Sequence, residues 1–459
     1  MNETEIPKTY DPKTIEPYWA DFWIEKKLND PKSRPQAKKF TIVIPPPNVT
    51  GSLHMGHALN NTLQDILIRW KKMSGFETLW VPGTDHGGIA TQNVVEKLLK
   101  NEKLSRHDLG REKFLERMWS WRKESGDTIL MQLRKLGSLL NWERTRFTMD
   151  EKCSAAVGHA FTELFKKGWI YRGKRMVNWC VRCQTALSDI EVEHEERKDK
   201  LYHLRYPILS GAKDGWQGVP LVVATTRPET LLGDSAVAVH PDDPRYKKIH
   251  GWWVGLPLAD REIEIISDEF VDPKFGTGVV KVTPSHDPND FEMGERHNLA
   301  SHVVIGFDGK MNALAGKYEG LSREKCREQI LEDLKAQDLV EKIEDYTHFV
   351  GTCYRCGTII EPLLSDQWFL NMAEMSKSAA QASQERKVQI FPDSWNKPYT
   401  AWLENLKDWC ISRQIWWGHR IPVWYCVTQE RGAEDLKKHP ALFSKCDPIP
   451  SVQAPAECP

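Results

Sequence analysis

Residues 40–81 constrain the fold of this 459-residue chain more than any other segment. A short apolar, β-branched run at 40–44 stops at three consecutive prolines, which predicts a buried strand. Apolar residues then recur at helical spacing over 53–73, and a second strand is predicted at 78–81. A strand, a helix and a strand in this order predict a parallel βαβ unit, and therefore an α/β fold.

The rest of the chain changes character twice. Helical patterns cover 9–28, 112–140 and 154–167, whereas 201–345 is β-rich, with predicted strands at 221–225 and 278–282. The α/β character returns near Trp395. We expect five segments: 1–175, an N-terminal segment and the first half of the α/β domain; 176–200, a stalk; 201–345, an inserted β-rich α+β domain; 346–394, a return stalk; and 395–459, the truncated start of the second half.

Charge and hydropathy narrow the function classes. The 63 Lys and Arg residues nearly cancel the 64 Asp and Glu residues, so a net charge of −1 excludes a globally basic nucleic-acid coat. Any RNA must be bound by a local patch. No apolar run approaches the ~20 residues of a membrane span, and the acidic N-terminus lacks a signal peptide. We expect a cytoplasmic monomer without a membrane partner.

The predicted helix at 53–73 begins with the sequence His54-Met55-Gly56-His57. Two histidines at i and i+3 share a helix face, and they follow the carboxyl end of the first strand, where α/β sheets bind ligands. A helix N-terminus favours phosphate, and Gly56 would let a base approach the backbone. Without further context, such a histidine pair is more often polar surface.

The flanking residues change this interpretation. Residues 45–60, PPPNVTGSLHMGHALN, resemble the signature of class I aminoacyl-tRNA synthetases, in the form typical of the valine-specific members. Fragments of the resemblance extend from Thr9 to Trp424. It implies a Rossmann-like catalytic domain, incomplete here, and an enzyme that activates valine with Mg²⁺-ATP and transfers it to tRNA(Val). ATP would be bound by Asn48, Thr50, His54, Gly56 and His57, of which His54 and His57 would also be catalytic.

The resemblance also implies a valine pocket. Asp85 follows the second predicted strand in PGTDHGG, and the family uses this carboxylate to pair with the substrate α-ammonium; an Asx turn is the alternative. In ISRQIWWGH at 411–419, Trp417 is expected to form a wall of the pocket with Pro46 and Pro47. Core packing is an equally good interpretation of Trp416.

A second active site is expected because threonine is nearly isosteric with valine. Valine-specific enzymes of this family are the standard example of an apolar pocket that rejects threonine by only about 10². Residues 225–230 and 276–290 resemble the hydrolytic editing domain of the family. The resemblance implies that Asp290 holds the α-ammonium of a misattached amino acid and Asp287 binds the threonine hydroxyl, although these two roles could be exchanged. The remaining cleft residues would be Arg227, Thr230, Lys281 and Thr283.

Two Cys-x-x-Cys pairs predict a metal site. Four thiolates from Cys180, Cys183, Cys353 and Cys356 can form a tetrahedral structural zinc site. Their wide separation is unlike a zinc finger, but it fits an inserted domain whose two stalk strands are held by one ion. A second site beginning at Cys426 is not expected, because Gln429 stands where a Cys-x-x-Cys pair would need its second cysteine.

The family also needs a Lys-Met-Ser-Lys-Ser loop. Residues 375–378, MSKS, resemble part of it, but they lie too early in the chain and in a helical pattern, so we treat the match as coincidental. We therefore expect a fragment without this loop and without an anticodon-binding domain. Two other functions stay open: a chain that only deacylates Thr-tRNA(Val), and an RNA- or zinc-binding module without catalysis.

Overall fold

The computed structural model describes residues 9–31, 36–210, 216, 218–425 and 449–453. The chain divides into two compact units: Met1–Lys167 together with Ile415–Pro459, and Gly168–Gln414. Both units combine helices and strands, which confirms the predicted mixed α/β content. No helix of the described ranges is long and apolar enough to cross a membrane.

Helices dominate the first unit and alternate with sheets in the second. In chain order they are α1 (Pro12–Glu25), α2 (Met55–Met73), α3 (Gly88–Asn101), α4 (Arg106–Leu109), α5 (Arg111–Lys135), α6 (Glu151–Lys166), α7 (Pro288–Arg296), α8 (Arg323–Ala336), α9 (Ala373–Gln384) and α10 (Asn396–Glu404).

Most strands belong to the second unit. In chain order they are β1 (Lys39–Val43), β2 (Glu77–Val81), β3 (Gly83–Thr84), β4 (Arg146–Phe147), β5 (Ile170–Cys180), β6 (Thr185–Leu187), β7 (Val192–Pro207), β8 (Pro220–Thr225), β9 (Ala236–Val239), β10 (Trp253–Gly255), β11 (Glu262–Ser267), β12 (Val279–Val282), β13 (Val340–Cys353), β14 (Glu361–Leu370), β15 (Trp409–Cys410), β16 (Val423–Trp424) and β17 (Ile449–Pro450).

The predicted βαβ unit is present. Strands β1 and β2 pair in parallel from Lys39↔Glu77 to Val43↔Val81, with α2 between them in the chain. Strand β1 is less buried than predicted, since Val43 is 69% exposed. Exposed and partly buried residues alternate along β1, so Val43 lies on a face of the strand that is left uncovered.

The helical predictions in the first unit differ from the structure at their ends. Helix α5 stops at Lys135 instead of residue 140, because Gly137 follows with φ +76 and the chain leaves the helix there. Helix α6 begins earlier than predicted, because Asp150 caps it by accepting a hydrogen bond from the Cys153 amide at 2.8 Å. Trp80, Phe114 and other apolar side chains form the core.

The second unit is built around two long antiparallel pairs. Strand β14 pairs with β5 from Glu361↔Trp179 onward, and β13 pairs with β7 up to Cys353↔Val192. A further sheet has the order β10-β11-β9-β12. Strands β8 and β12 confirm the predictions at 221–225 and 278–282. Helices α7 and α8 pack with these sheets and explain the α+β character.

Candidate functional sites

The N-terminus of α2 is capped by the two histidines themselves. His54 is the N-cap residue, and its Nδ1 accepts a hydrogen bond from the Gly56 amide at 3.1 Å. The His54 amide in turn donates to Nδ1 of His57 at 3.3 Å, and the two ring centroids are 4.0 Å apart. Because both Nδ1 atoms accept, each neutral ring carries its proton on Nε2, as a donor suited to an anion. Partial burial and the neighbouring His54 lower the pKa of His57.

The turn that precedes this helix is tied to the loop after β2. The Val49 amide donates to the carbonyl of Asp85 at 2.9 Å, and the Asp85 amide donates to the carbonyl of Pro47 at 2.8 Å. These bonds bring two predicted sites together, because exposed Asn48, Thr50 and Pro46 lie in the turn that is hydrogen-bonded to the backbone of Asp85.

The Asp85 carboxylate is half-buried and well hydrogen-bonded. Its Oδ1 accepts from the Gly87 amide at 3.1 Å and from the Thr148 hydroxyl at 2.9 Å, and Nδ1 of His86 lies 3.2 Å away. Burial alone would raise the pKa of Asp85, but the bonds from His86, Gly87 and Thr148 lower it to about 2. The bond from the Gly87 amide is the one expected of an Asx turn, so that alternative accounts for only one of the bonds of Asp85. The group stays anionic, as pairing with an ammonium requires.

Trp417 lies in the core of the first unit. It has no exposed surface, packs edge-on against Trp119 at 5.0 Å between centroids, and donates from Nε1 to the carbonyl of His86 at 2.8 Å. Oε1 of buried Gln92 accepts from the Trp416 and Trp417 amides at 3.0 and 3.2 Å. Trp417 is thus anchored to the residue next to Asp85, and its role as a pocket wall stays a prediction.

In the second unit, helix α7 begins with two carboxylates. Asp287 is the N-cap residue, and its Oδ1 accepts from the amides of Asn289 at 2.8 Å and Asp290 at 3.2 Å. Asp290 is buried, and its Oδ2 accepts from the Thr283 amide at 2.8 Å. Burial, followed by the charge of Asp287, raises the pKa of Asp290 to about 7. The two carboxylates thus have different environments, one half-exposed and one buried.

A buried polar cluster adjoins Asp290. Nζ of Lys281 donates to the Thr230 hydroxyl at 2.8 Å, to the Thr283 hydroxyl, and to Oδ1 of Asp234 at 3.0 Å. The Thr283 hydroxyl also donates to Asp234, at 2.6 Å. Asp234 is fully buried, and its carboxylate is the counter-ion that compensates the charge of the buried Lys281 ammonium.

The Arg227 side chain joins this cluster to the loop before α7. Nη1 donates to the carbonyl of His286 at 3.1 Å, while Nε lies 3.4 Å from Glu229 and Nη2 pairs with Glu361. The carbonyl of Arg227 accepts from the Thr230 hydroxyl at 3.0 Å. The predicted editing residues Arg227, Thr230, Lys281, Thr283, Asp287 and Asp290 therefore form one connected group.

The four predicted cysteine ligands lie together. The Sγ atoms of Cys180, Cys183, Cys353 and Cys356 all lie within 4.8 Å of one another, with Cys356 at 3.5 Å from Cys180 and 3.7 Å from Cys183. Four sulfurs at ~2.3 Å from a tetrahedral zinc would be about 3.8 Å apart. The donor set and its spacing therefore fit a closed zinc site. The prediction that Cys426 begins no second site concerns residues outside the described ranges.

Sequence reasoning missed several side chains that hold these groups. Asp234 and Glu361 are buried carboxylates that pair with predicted cationic residues, and Gln92 and Thr148 fix Trp417 and Asp85. The available signal was indirect: a buried lysine or arginine needs a counter-ion, but the sequence does not say which acid supplies it. Residues 375–378 lie in α9, as their helical pattern predicted.

Comparison with known proteins agrees with the predicted family. Residues 18–443 match the family model of tRNA synthetases class I (I, L, M and V). Curated relatives named valine–tRNA ligase from Syntrophotalea carbinolica and Geobacter sulfurreducens are each 54% identical over 93% of this chain, covering 47% and 48% of their own lengths. The relative of that name from Thermotoga maritima is 54% identical over 92% of the chain and 48% of its own length. The chain thus spans about half the length of the curated relatives it matches.

Proposed function

The chain belongs to the tRNA synthetases class I (I, L, M and V), and from this premise we propose that it carries the valine-activation site and the editing site of a valine–tRNA ligase. The identity of 54% with relatives of that name is the observation that carries the choice of valine. The whole enzyme would act in the cytoplasm, as a monomer, on valine, Mg²⁺-ATP and tRNA(Val).

Activation would use the junction of β1, β2 and α2. Asp85, with its pKa held near 2, pairs with the valine α-ammonium and directs the carboxylate towards ATP. His54 and His57, both with Nε2–H directed away from the cap, donate to phosphate oxygens as charge develops during loss of pyrophosphate. Exposed Pro46, with Pro47 and Trp417 buried behind the surface, would bound the apolar side chain and favour valine over larger residues.

Editing would use the cluster at the start of α7. Water adds to the ester carbonyl of Thr-tRNA(Val), the bond from that carbonyl to the ribose oxygen breaks, and the ribose oxygen takes a proton. Asp290 holds the α-ammonium and Asp287, through the oxygen not used in capping, accepts from the threonine hydroxyl. Valine has no hydroxyl to donate to this oxygen of Asp287, and the cleft would therefore select against it.

The cysteine cluster would hold structural zinc. Cys180, Cys183, Cys353 and Cys356 supply four thiolates and leave no coordination position for substrate, so the ion would fix the ends of β5 and β13 and take no part in hydrolysis.

Deacylation of Thr-tRNA(Val) by Asp290→Ala tests the editing proposal. Loss of the carboxylate removes a charge-assisted contact to the ammonium, and we expect the rate to fall by at least about 100-fold. Glu292→Ala, at an exposed position of the same helix, is the matched control and should keep the wild-type rate. An Asp290→Ala variant that clears Thr-tRNA(Val) at the wild-type rate would refute the assignment.

Valine-dependent pyrophosphate exchange distinguishes a chain that activates valine from a chain that only edits. We expect no exchange from this chain alone, because its 459 residues contain no Lys-Met-Ser-Lys-Ser sequence. Detectable exchange would show that this loop is not essential for activation.

A further inference from the structure

Arg227 has three side-chain contacts in the second unit, and the first is between its Nε and Glu229, at 3.4 Å. Its Nη1 donates to the carbonyl of His286, in the loop that leads to Asp287, and its Nη2 pairs with Glu361 on the return strand β14. About 29% of its side chain remains exposed. Part of the side chain therefore stays accessible although all three guanidinium nitrogens have partners.

Glu361 occupies a position set by two neighbouring elements. It lies opposite Trp179 in the β5–β14 pairing, and Trp179 directly precedes Cys180 of the cysteine cluster. Its side chain is completely buried. The backbone of Glu361 is thus fixed by a strand pair next to the cysteine cluster, and it lies far in sequence from Arg227.

The two oxygens of Glu361 have different partners. Oε1 accepts from Arg227, and Oε2 accepts from Nη1 of Arg323 at 2.8 Å. Arg323 has other acceptors, because its Nη2 donates to the carbonyl of Ile359 at 2.9 Å and its Nε lies 3.0 Å from Glu324. Both arginines therefore keep other acceptors without Glu361, but Arg227 would lose the contact that directs Nη2.

The charge of Glu361 does not change under ordinary conditions. Burial alone would raise its pKa, but Arg227 and His286 lower it to about 2. A carboxylate that stays ionised in a dry site can hold a guanidinium in one orientation by charge and by hydrogen bonding together.

We propose that Glu361 is a positioning residue of the editing cleft, which acts by fixing the Arg227 guanidinium against the loop before α7. This inference rests on the proposed editing function. A shift of about 1 Å in a group that orients a substrate can cost roughly 100-fold in rate, so loss of this contact affects turnover more than tRNA binding.

Glu361→Gln tests the proposal in steady-state deacylation of Thr-tRNA(Val) by the 459-residue chain. The substitution keeps the shape and removes the charge. We expect kcat to fall about 10- to 100-fold while KM changes less than about threefold. Glu324→Gln is the matched control, since Glu324 pairs with Arg323 from an exposed position, and it should leave both constants unchanged.

A double-mutant cycle separates positioning from general damage to the fold. In an Arg227→Ala background, adding Glu361→Gln should change kcat less than about twofold, because the group it positions is gone. The same loss in both backgrounds, or an unchanged kcat for Glu361→Gln alone, would overturn the inference and leave the proposed function standing. If Asp290→Ala has no effect in this assay, the proposed function fails, and this inference fails with it.

Discussion

At the scale of single residues, the pair Asp287 and Asp290 shows how one short helix gives two carboxylates different properties. Asp287 caps α7 and stays half-exposed, whereas Asp290 is buried one turn later, and its pKa is raised to about 7 by burial and by Asp287. Only ionised Asp290 can hold an ammonium. The proposed editing rate should therefore fall with decreasing pH below about 7.

Asp287→Asn should move this acid limb to lower pH. The amide still caps the helix, but it removes the charge that opposes ionisation of Asp290, so the pKa of Asp290 falls and the active form persists at lower pH. The measurement is the pH profile of kcat/KM for deacylation of Thr-tRNA(Val).

Asp272→Asn is the control for that profile. Asp272 also accepts from a turn amide, that of Lys274 at 2.8 Å, but it is exposed. Its substitution should leave the profile in place. An acid limb that stays where it is in Asp287→Asn would mean that another group governs it.

The sequence predicted residues with characteristic neighbours better than residues with distant partners. His54, Asp85 and Asp290 lie in recognisable local patterns, although the capping bonds of His54 and Asp287 were not foreseen. Asp234 has no such pattern. Its importance comes from Lys281 and Tyr206, which donate to it from other parts of the fold at 3.0 and 2.8 Å.

At the scale of elements, the cysteine cluster lies where two strand pairs end. Cys180 ends β5 and Cys353 ends β13, so one ion would fix both ends at once. The two segments pair with β14 and β7 rather than with each other. The proposed zinc would thus connect β5 and β13, which belong to different sheets.

Cys356→Ser should reduce bound zinc and destabilise the second unit. Serine is a poor zinc ligand, and the binding energy of a structural zinc contributes to folding. We expect substoichiometric zinc by elemental analysis and a fall in Tm of about 5–10 °C. Cys153→Ser, at a free cysteine outside the cluster, should change neither. Full zinc content in Cys356→Ser would exclude Cys356 as a ligand.

Element types were predictable, while their exposure was not. The apolar run at 40–44 and the spacing over 53–73 predicted β1 and α2 correctly. The exposure of Val43 depends on what covers its face of β1, and a local pattern carries no information on that. Helix α5 ended early because Gly137 adopts a positive φ, a signal that the longer apolar periodicity had masked.

At the scale of the whole molecule, each proposed activity is assembled inside one unit. The residues proposed for activation belong to the first unit, and the editing group and the cysteine cluster belong to the second. The β-rich composition of 201–345 indicated a separate domain, but contacts such as Gln92 with Trp417 join segments that no spacing rule connects.

The relative rate of deacylation of Thr-tRNA(Val) and Val-tRNA(Val) by this chain tests the central claim most directly. A polar cleft built around Asp287 and Asp290 should hydrolyse the threonyl ester at least about 100-fold faster, because valine has no hydroxyl to donate to Asp287. Equal rates for the two esters, or faster loss of valine, would contradict the account.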